Sequence, residues 1–325
     1  MELQIPTSPH ATLRAAEPAD VPAVLTLLRA HEAAVSGEPS WNEGEVAEPF
    51  TTDKGRRDTR MVVGERDGAV VAHFLATRDT ADRWYGDATV DVSLPAAAHA
   101  DLTHTGLAWV ERTAATNAEG TQRVRITHWC WENDARFAES LAAAGYQPVR
   151  AFIEMHLDLD GRASTPPTDA VRIRQADLSD LAGPDARMMY ELISESFRDH
   201  YDYHERTYDE WLERRTAGAN YDPDGWFIAE VDGTPAGGLI HDTGYVAEHG
   251  ANYVANLGTL RWARGRGVAK ALLEHSFARA AAQGRRAVKL HVDAESPTGA
   301  TALYESVGMH RHKVGQEWQR FVPVC

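Results

Sequence analysis

The chain has 325 residues, 43% of them hydrophobic, and a formal charge of −15 from 33 basic and 48 acidic residues. That length suits two domains of about 150 residues each, and the acidic balance excludes a general nucleic-acid binder, which needs excess cations to displace phosphate counterions. Two cysteines, Cys130 and Cys325, are too few for a disulfide framework and point to a reducing cytoplasm; no leader pattern and no membrane-length apolar run is present, so no membrane partner is expected.

From the N-terminus, residues 13–20 read as a strand and an acidic cap leading into a Val/Leu-rich helix. Residues 61–72 place Asp67-Gly68 between two apolar runs, the sign of a hairpin. Residues 90–99 lead into a helical pattern over 102–113, and Leu141–Tyr146 closes the first half. Residues 160–169 have the Gly, Ser, Thr and Pro content of a linker.

Beyond it the same order returns. Residues 171–177 form strand and cap, 188–197 a helix, and 226–237 a hairpin with Asp232-Gly233 at its turn. The expectation is a tandem of two α/β domains, 1–160 and 171–325, joined by a linker at 161–170. Each would be a mixed, mostly antiparallel sheet flanked by helices.

The second half then adds something the first lacks. A strand-like segment, 253–260, is followed by Arg264-Gly265-Arg266-Gly267-Val268-Ala269 and a helix whose Ala269, Leu272, Leu273, Ser276, Phe277 and Ala280 fall on one face. Glycines allow a tight turn, and a helix N-terminus offers unpaired N–H groups, so a phosphate-binding turn is expected. A strand at 288–292 and a helix at 301–305 follow. The corresponding stretch of the first half, 90–99, has no such glycines, and Leu141–Gly145 has no tyrosine, so that half reads as a degenerate domain. A second cofactor site there is the alternative.

Arg264-x-x-Gly267-x-Ala269 together with Leu303-Tyr304-Glu305-Ser306-Val307-Gly308-Met309 resembles the signature of the Gcn5-related N-acetyltransferase (GNAT) family, and the two-half layout is similar to that of mycothiol synthases within it. The resemblance implies two GNAT-like domains and acetyl-CoA as acyl donor. It implies that the backbone of Leu257, Gly258 and Thr259 binds the pantetheine arm and acetyl carbonyl. Arg264, Gly265, Arg266, Gly267, Val268, Ala269 and Lys270 would bind the pyrophosphate, and Tyr304 would act as general acid toward the departing thiolate.

Two departures from the family pattern stand out. Many members carry Asn where Pro297 stands, leaving Ser296 or Thr298 to replace its hydrogen bond. Several members carry a Glu base on the strand before the loop, where this chain has Tyr253 and Asn256. His291, Asp293, Glu248, His249, an ordered water, or capture of the amine already neutral are the alternatives.

The resemblance places acceptor selection in residues 197–204, where Asp199, Asp202 and the tyrosines suit a cationic or polyhydroxylated amine. His200 and His204 have i, i+4 spacing but no carboxylate-rich motif, so no metal is expected. The expected activity is acetylation of a small primary amine, such as an antibiotic or other secondary metabolite, by a monomer or homodimer. The alternatives are acetylation of a cysteinyl pseudodisaccharide, as by mycothiol synthase, and a non-catalytic acyl-CoA sensor.

Overall fold

The computed structural model describes residues 3–160, 170–296 and 299–324; Pro297, Thr298 and the expected linker, except Ala170, lie outside the described residues. In chain order the elements begin with β1 (Thr12–Ala15), α1 (Val21–Ser36), α2 (Glu43–Thr51), α3 (Asp53–Asp58), β2 (Thr59–Arg66), β3 (Ala69–Thr80) and β4 (Arg83–Val90). Then come α4 (Ala96–Asn117), β5 (Arg123–Trp131), α5 (Ala135–Ala143) and β6 (Gln147–Asp158). The second half supplies β7 (Arg172–Gln175), α6 (Pro184–Phe197), α7 (Tyr208–Thr216), β8 (Tyr221–Val231), β9 (Thr234–Asp242) and α8 (Val246–His249). It ends with β10 (Ala251–Thr259), α9 (Val268–Ala282), β11 (Ala287–Asp293), α10 (Ala300–Ser306) and β12 (His310–Pro323).

The chain divides into one unit of Met1–Phe152 with Lys313–Cys325 and another of Ile153–His312. This corrects a division drawn along the sequence at 160–170. Residues 313–325 belong with the first unit, where Gly315–Pro323 pairs antiparallel with β5. Gly315 lies against the Trp129 indole, and a Cβ there would come within 1.9 Å of Cζ2. That fit is a long-range one, invisible to local pattern.

Within the first unit the strands run in the order β1-β2-β3-β4-β5-β12, antiparallel except for the parallel β4–β5 pair. The second unit runs β6-β11-β10-β9-β8-β7, with β10–β11 parallel and β7 through β10 antiparallel. Each is the mixed, mostly antiparallel sheet with helices that the repeat implies. Both hairpin turns place Asp and Gly in the left-handed region, at φ 52° and 80° for Asp67 and Gly68 and 54° and 76° for Asp232 and Gly233. The core of the second unit gathers Met189, Leu192, Ile193, Trp211, Trp226, Ile228 and Ile240.

The repeat extends to a half-buried ionic motif. In the first unit Arg14 donates to both Asp20 oxygens at 2.7 Å and to Glu65 at 3.1 Å; in the second, Arg174 donates to Asp185 at 2.5 and 2.8 Å and to Glu230 at 3.0 Å. Each arginine ties its first strand to the start of a helical segment and to the neighbouring strand. The Arg174 hydrogen bonds hold the Asp185 carboxyl below the usual carboxylate range. Because that pKa is depressed on folding, the stabilisation is present above the unfolded value near 4 and lost as pH falls through the folded one. Asp185→Asn should therefore cost about 1–3 kcal/mol at neutral pH. Thermal unfolding of the variant and the parent should draw together as pH falls below the unfolded carboxylate value and converge once it passes the lowered Asp185 pKa, and a gap that does not narrow with acid would contradict this assignment.

Candidate active site

The site begins where two parallel strands stop pairing. β10 and β11 are in register from Ala251↔Ala287 to Tyr253↔Lys289, and no pairs follow among the described residues. β10 continues along β9 to Thr259↔Gly237, with an irregularity between Val254 and Asn256 that sharpens the bend. The far half of β10 thus has one neighbouring strand, and its other edge opens into a cleft. A cavity of about 450 Å³ occupies this region, with Leu257, Gly258 and Thr259 along one side.

Across the mouth lies the glycine turn. Gly265 and Gly267 have φ of 76° and 80°, a conformation that L-residues with a Cβ rarely adopt. Nothing lies within 4 Å of where a Cβ would stand at either, so backbone conformation, not space, demands glycine. Gly267 is the N-cap of α9 and accepts from Ala271 N–H at 2.9 Å, and no side chain of a described residue caps the helix. The first-turn N–H groups of Val268, Ala269 and Lys270 therefore lack intrahelical partners, and with the helix dipole they favour an anion.

The helix that carries this turn is docked as its periodicity predicts. Val268, Leu272, Leu273, Ser276, Phe277 and Ala280 are buried, with Val268 taking the place expected for Ala269. The one polar member, Ser276, meets His241 Nε2 of β9 at 2.7 Å. Burial, aided by Arg279, pushes the His241 imidazole down to about 3, so a neutral ring holds the helix to the sheet.

Tyr304, on α10, lines the same cavity beside Ala300 and Leu303. It is 8% exposed, and burial pushes its phenol up to about 12. The cavity thus brings together Leu257, Gly258, Thr259, Arg264, Gly265, Gly267, Val268, Ala269, Lys270 and Tyr304. Arg266 and Ser296 are not in its lining, and Thr298 lies outside the described residues. Arg266 instead pairs with Asp232 at 2.8 Å and lies over the Trp262 ring. Its truncation to Ala should change acetyl-CoA affinity less than about threefold, a weight in line with an exposed pair. A tenfold loss by titration calorimetry would show that the side chain turns inward.

Sequence reasoning missed Ser196, and it placed His200 only within the acceptor segment 197–204; the two line the cavity from α6 and the segment after it. Ser196 sits so close to β10 that a Cβ on Gly258 would come within 2.7 Å of its own Cβ. The only local signal was a small residue facing a strand glycine. Asp199, expected to face a cationic acceptor, is instead engaged by Arg261, at 3.1 Å from Nε, and lies 3.8 Å from Arg264. Its charge is spent on the arginines of the turn, an interaction between segments far apart in sequence.

The first unit parts its own parallel pair after Gly86↔His128, but the turn that follows is closed. Ser93 N–H donates to Asp91 Oδ1 at 2.8 Å and Leu94 N–H to Asp91 C=O at 3.1 Å. The Asp91 carboxylate thus already takes an N–H of this turn, and the cavity at the parted strands, lined by Gly86, Asp87, Thr89 and Trp131 among others, is about 100 Å³ and includes no residue of the turn.

Residues 186–309 match the Acetyltransferase (GNAT) family. A mycothiol acetyltransferase from Streptomyces griseus subsp. griseus is 30% identical over 309 residues, 93% of this chain and 92% of that one. The chain belongs to the GNAT family of acetyltransferases. It is an N-acetyltransferase, and acetyl-CoA is its acetyl donor. Among solved structures, a GCN5-related N-acetyltransferase from Sphaerobacter thermophilus matches with TM-score 0.78 and 25% identity over 97% of each chain. A tandem GNAT protein from the clavulanic acid biosynthesis pathway shares the fold, with TM-score 0.69 and 14% identity over 97% of this chain and 98% of that one. No described helix is long and apolar enough to cross a membrane.

Proposed function

We propose that the second unit of this GNAT protein transfers acetyl from acetyl-CoA to the primary amine of a small polyhydroxylated molecule. The residues present fit the donor. The open edge of β10 at Leu257, Gly258 and Thr259 suits an extended amide chain added as a strand would be. The turn through Arg264, Gly265, Gly267, Val268, Ala269 and Lys270 suits the pyrophosphate, with Arg266 contributing charge from outside the lining. Acetyl-CoA supplies an activated thioester, and Tyr304 is assigned as proton donor to the leaving sulfur. The observation that carries this reading is one cavity bounded by the glycine turn, the open strand edge and Tyr304.

Within that class we assign the cysteinyl amine of cysteinyl-glucosaminyl-inositol as the acceptor, on the strength of end-to-end similarity to a mycothiol acetyltransferase. We place the reaction in the cytoplasm, where the acceptor thiol stays reduced. The alternative acceptor is another small amine, such as an antibiotic. A panel of both acceptor types with acetyl-CoA distinguishes them. The acceptor carries its own thiol, so product mass is the readout. The assignment requires kcat/KM for the cysteinyl pseudodisaccharide to exceed that of the other amines at least about 100-fold, roughly 2.7 kcal/mol of discrimination; equal or better turnover of another amine would overturn it.

A further inference from the structure

Where β10 and β11 part, the last paired residues are Tyr253 and Lys289, and His291 stands two residues further along β11 on the same face. Tyr253 Oη lies 3.0 Å from His291 Nδ1 and bridges the opening. On the other side of the imidazole, Nε2 is 3.8 Å from Glu154 Oε2, so the carboxylate acts on it through charge. Glu154, in the part of β6 that belongs to the second unit, has a side chain only 1% exposed. Its other oxygen meets Lys289 Nζ at 3.2 Å, and the Tyr245 hydroxyl donates to Oε2 at 3.5 Å. Tyr245 stacks on Tyr253, ring centroids 5.1 Å apart at 16°.

The cross-strand register keeps Tyr253 on the same sheet face as Asn256 and Gly258, and Gly258 both lines the cavity and faces Ser196 of α6. The Tyr253–His291 bridge therefore lies on the α6 side of the sheet, where the two strands part, back along β10 from the cavity lining at Leu257, Gly258 and Thr259.

We propose that Tyr253 and His291, anchored by Glu154, form the proton relay that deprotonates the acceptor amine. This rests on the reading of the second unit as the transfer site. The acceptor's ammonium proton passes to Tyr253 Oη, the freed nitrogen bonds to the acetyl carbon as the carbon–sulfur bond breaks, and the second nitrogen proton leaves to water. The phenol proton passes to His291 Nδ1, and the resulting imidazolium faces Glu154. Tyr304 gives a proton to the sulfur, and exchange with water restores both groups. The relay requires the phenol O–H to donate to Nδ1, which sets the tautomer that carries hydrogen on Nε2, facing the carboxylate. Lys289 already balances Glu154, so the buried pair is neutral until the proton arrives.

Tyr253 does not serve alone. Burial, with the Asp242 and Glu154 carboxylates nearby, raises its phenol well above the ordinary range, so it releases a proton only as it receives one. The other groups facing the relay are His312, 4.0 Å from Glu154 Oε1, Lys289 and Asp293 on β11, and Arg215, which acts on Tyr253. Tyr253 is the member that would touch the acceptor; His291 acts through it and Glu154 positions His291.

Tyr253→Phe and His291→Gln test the relay, with cysteinyl-glucosaminyl-inositol as acceptor and acetyl-CoA at saturation. Glu154→Gln is unsuitable, because it leaves buried Lys289 without its counter-charge. At neutral pH both variants should lose about tenfold to 100-fold in kcat, with acetyl-CoA Kd and melting temperature unchanged. The deficit should shrink toward about pH 9, where more of the amine is neutral without help. Both variants keeping kcat within twofold from about pH 6 to pH 9 would overturn the relay.

A wild type that acetylates no amine overturns the transfer reading instead. Nitrogen NMR of the His291 ring then decides the relay separately, in protein without acceptor. It should show Nε2 protonated and Nδ1 bare, with the Nδ1 resonance displaced in Tyr253→Phe; a protonated Nδ1 would overturn it.

Discussion

Replacing Gly267 by Val should raise the acetyl-CoA Kd at least about 100-fold while lowering the melting temperature by only a few degrees. The residue sits at φ 80° with open space around it, so the substitution causes no clash. It does force a β-branched residue out of the left-handed region, whose cost is about 1–2 kcal/mol even for a residue with a simple Cβ. Relief of that strain rotates the peptide planes at the mouth of α9 and turns the N–H groups of Val268 and Ala269 away from the anion. Each charge-assisted bond lost is worth about 1.5–3 kcal/mol, so two account for the expected change. Gly267→Ala should fall between Val and the parent. Titration calorimetry with acetyl-CoA is the measurement, and a Kd within threefold of the parent for Gly267→Val would remove the glycine turn from the donor site.

The same turn shows what a sequence can and cannot disclose. The α9 face, the two Asp-Gly hairpins and the strand before the turn were legible because each is set by spacing within a few residues. The glycines announced a special backbone, and both adopt positive φ. What stayed hidden depends on segments distant in the chain. Asp199 reads as a free acid until Arg261 is seen to hold it, and Glu154 lies on a strand that sequence order gives to the first half. The C-terminal strand offers no local cue for which sheet receives it; Gly315 beneath Trp129 decides that only once the fold exists.

Tyr304→Phe should lower kcat about 100-fold or more and leave the acetyl-CoA Kd and the acceptor KM nearly unchanged. The phenol is almost fully buried and its pKa is pushed up to about 12, so it stays protonated across any practical assay range. A thiol has a pKa of about 8.5, and full transfer from a phenol at about 12 is uphill by roughly 3.5 units, near 4.8 kcal/mol. In the role proposed for it, Tyr304 would act chiefly by donating a hydrogen bond to sulfur as negative charge builds there, with the proton following late. Burial helps in this role, because a donor already stripped of water needs no reorganisation when the charge appears. The sign of the pH effect follows: the donating form persists below the raised pKa, so Tyr304 should contribute no falling limb to kcat up to about pH 10. The phenylalanine variant should reproduce the shape of the parent profile at reduced height. Unchanged kcat in Tyr304→Phe, or a parent profile that falls near pH 8 and flattens in the variant, would assign sulfur protonation to another group.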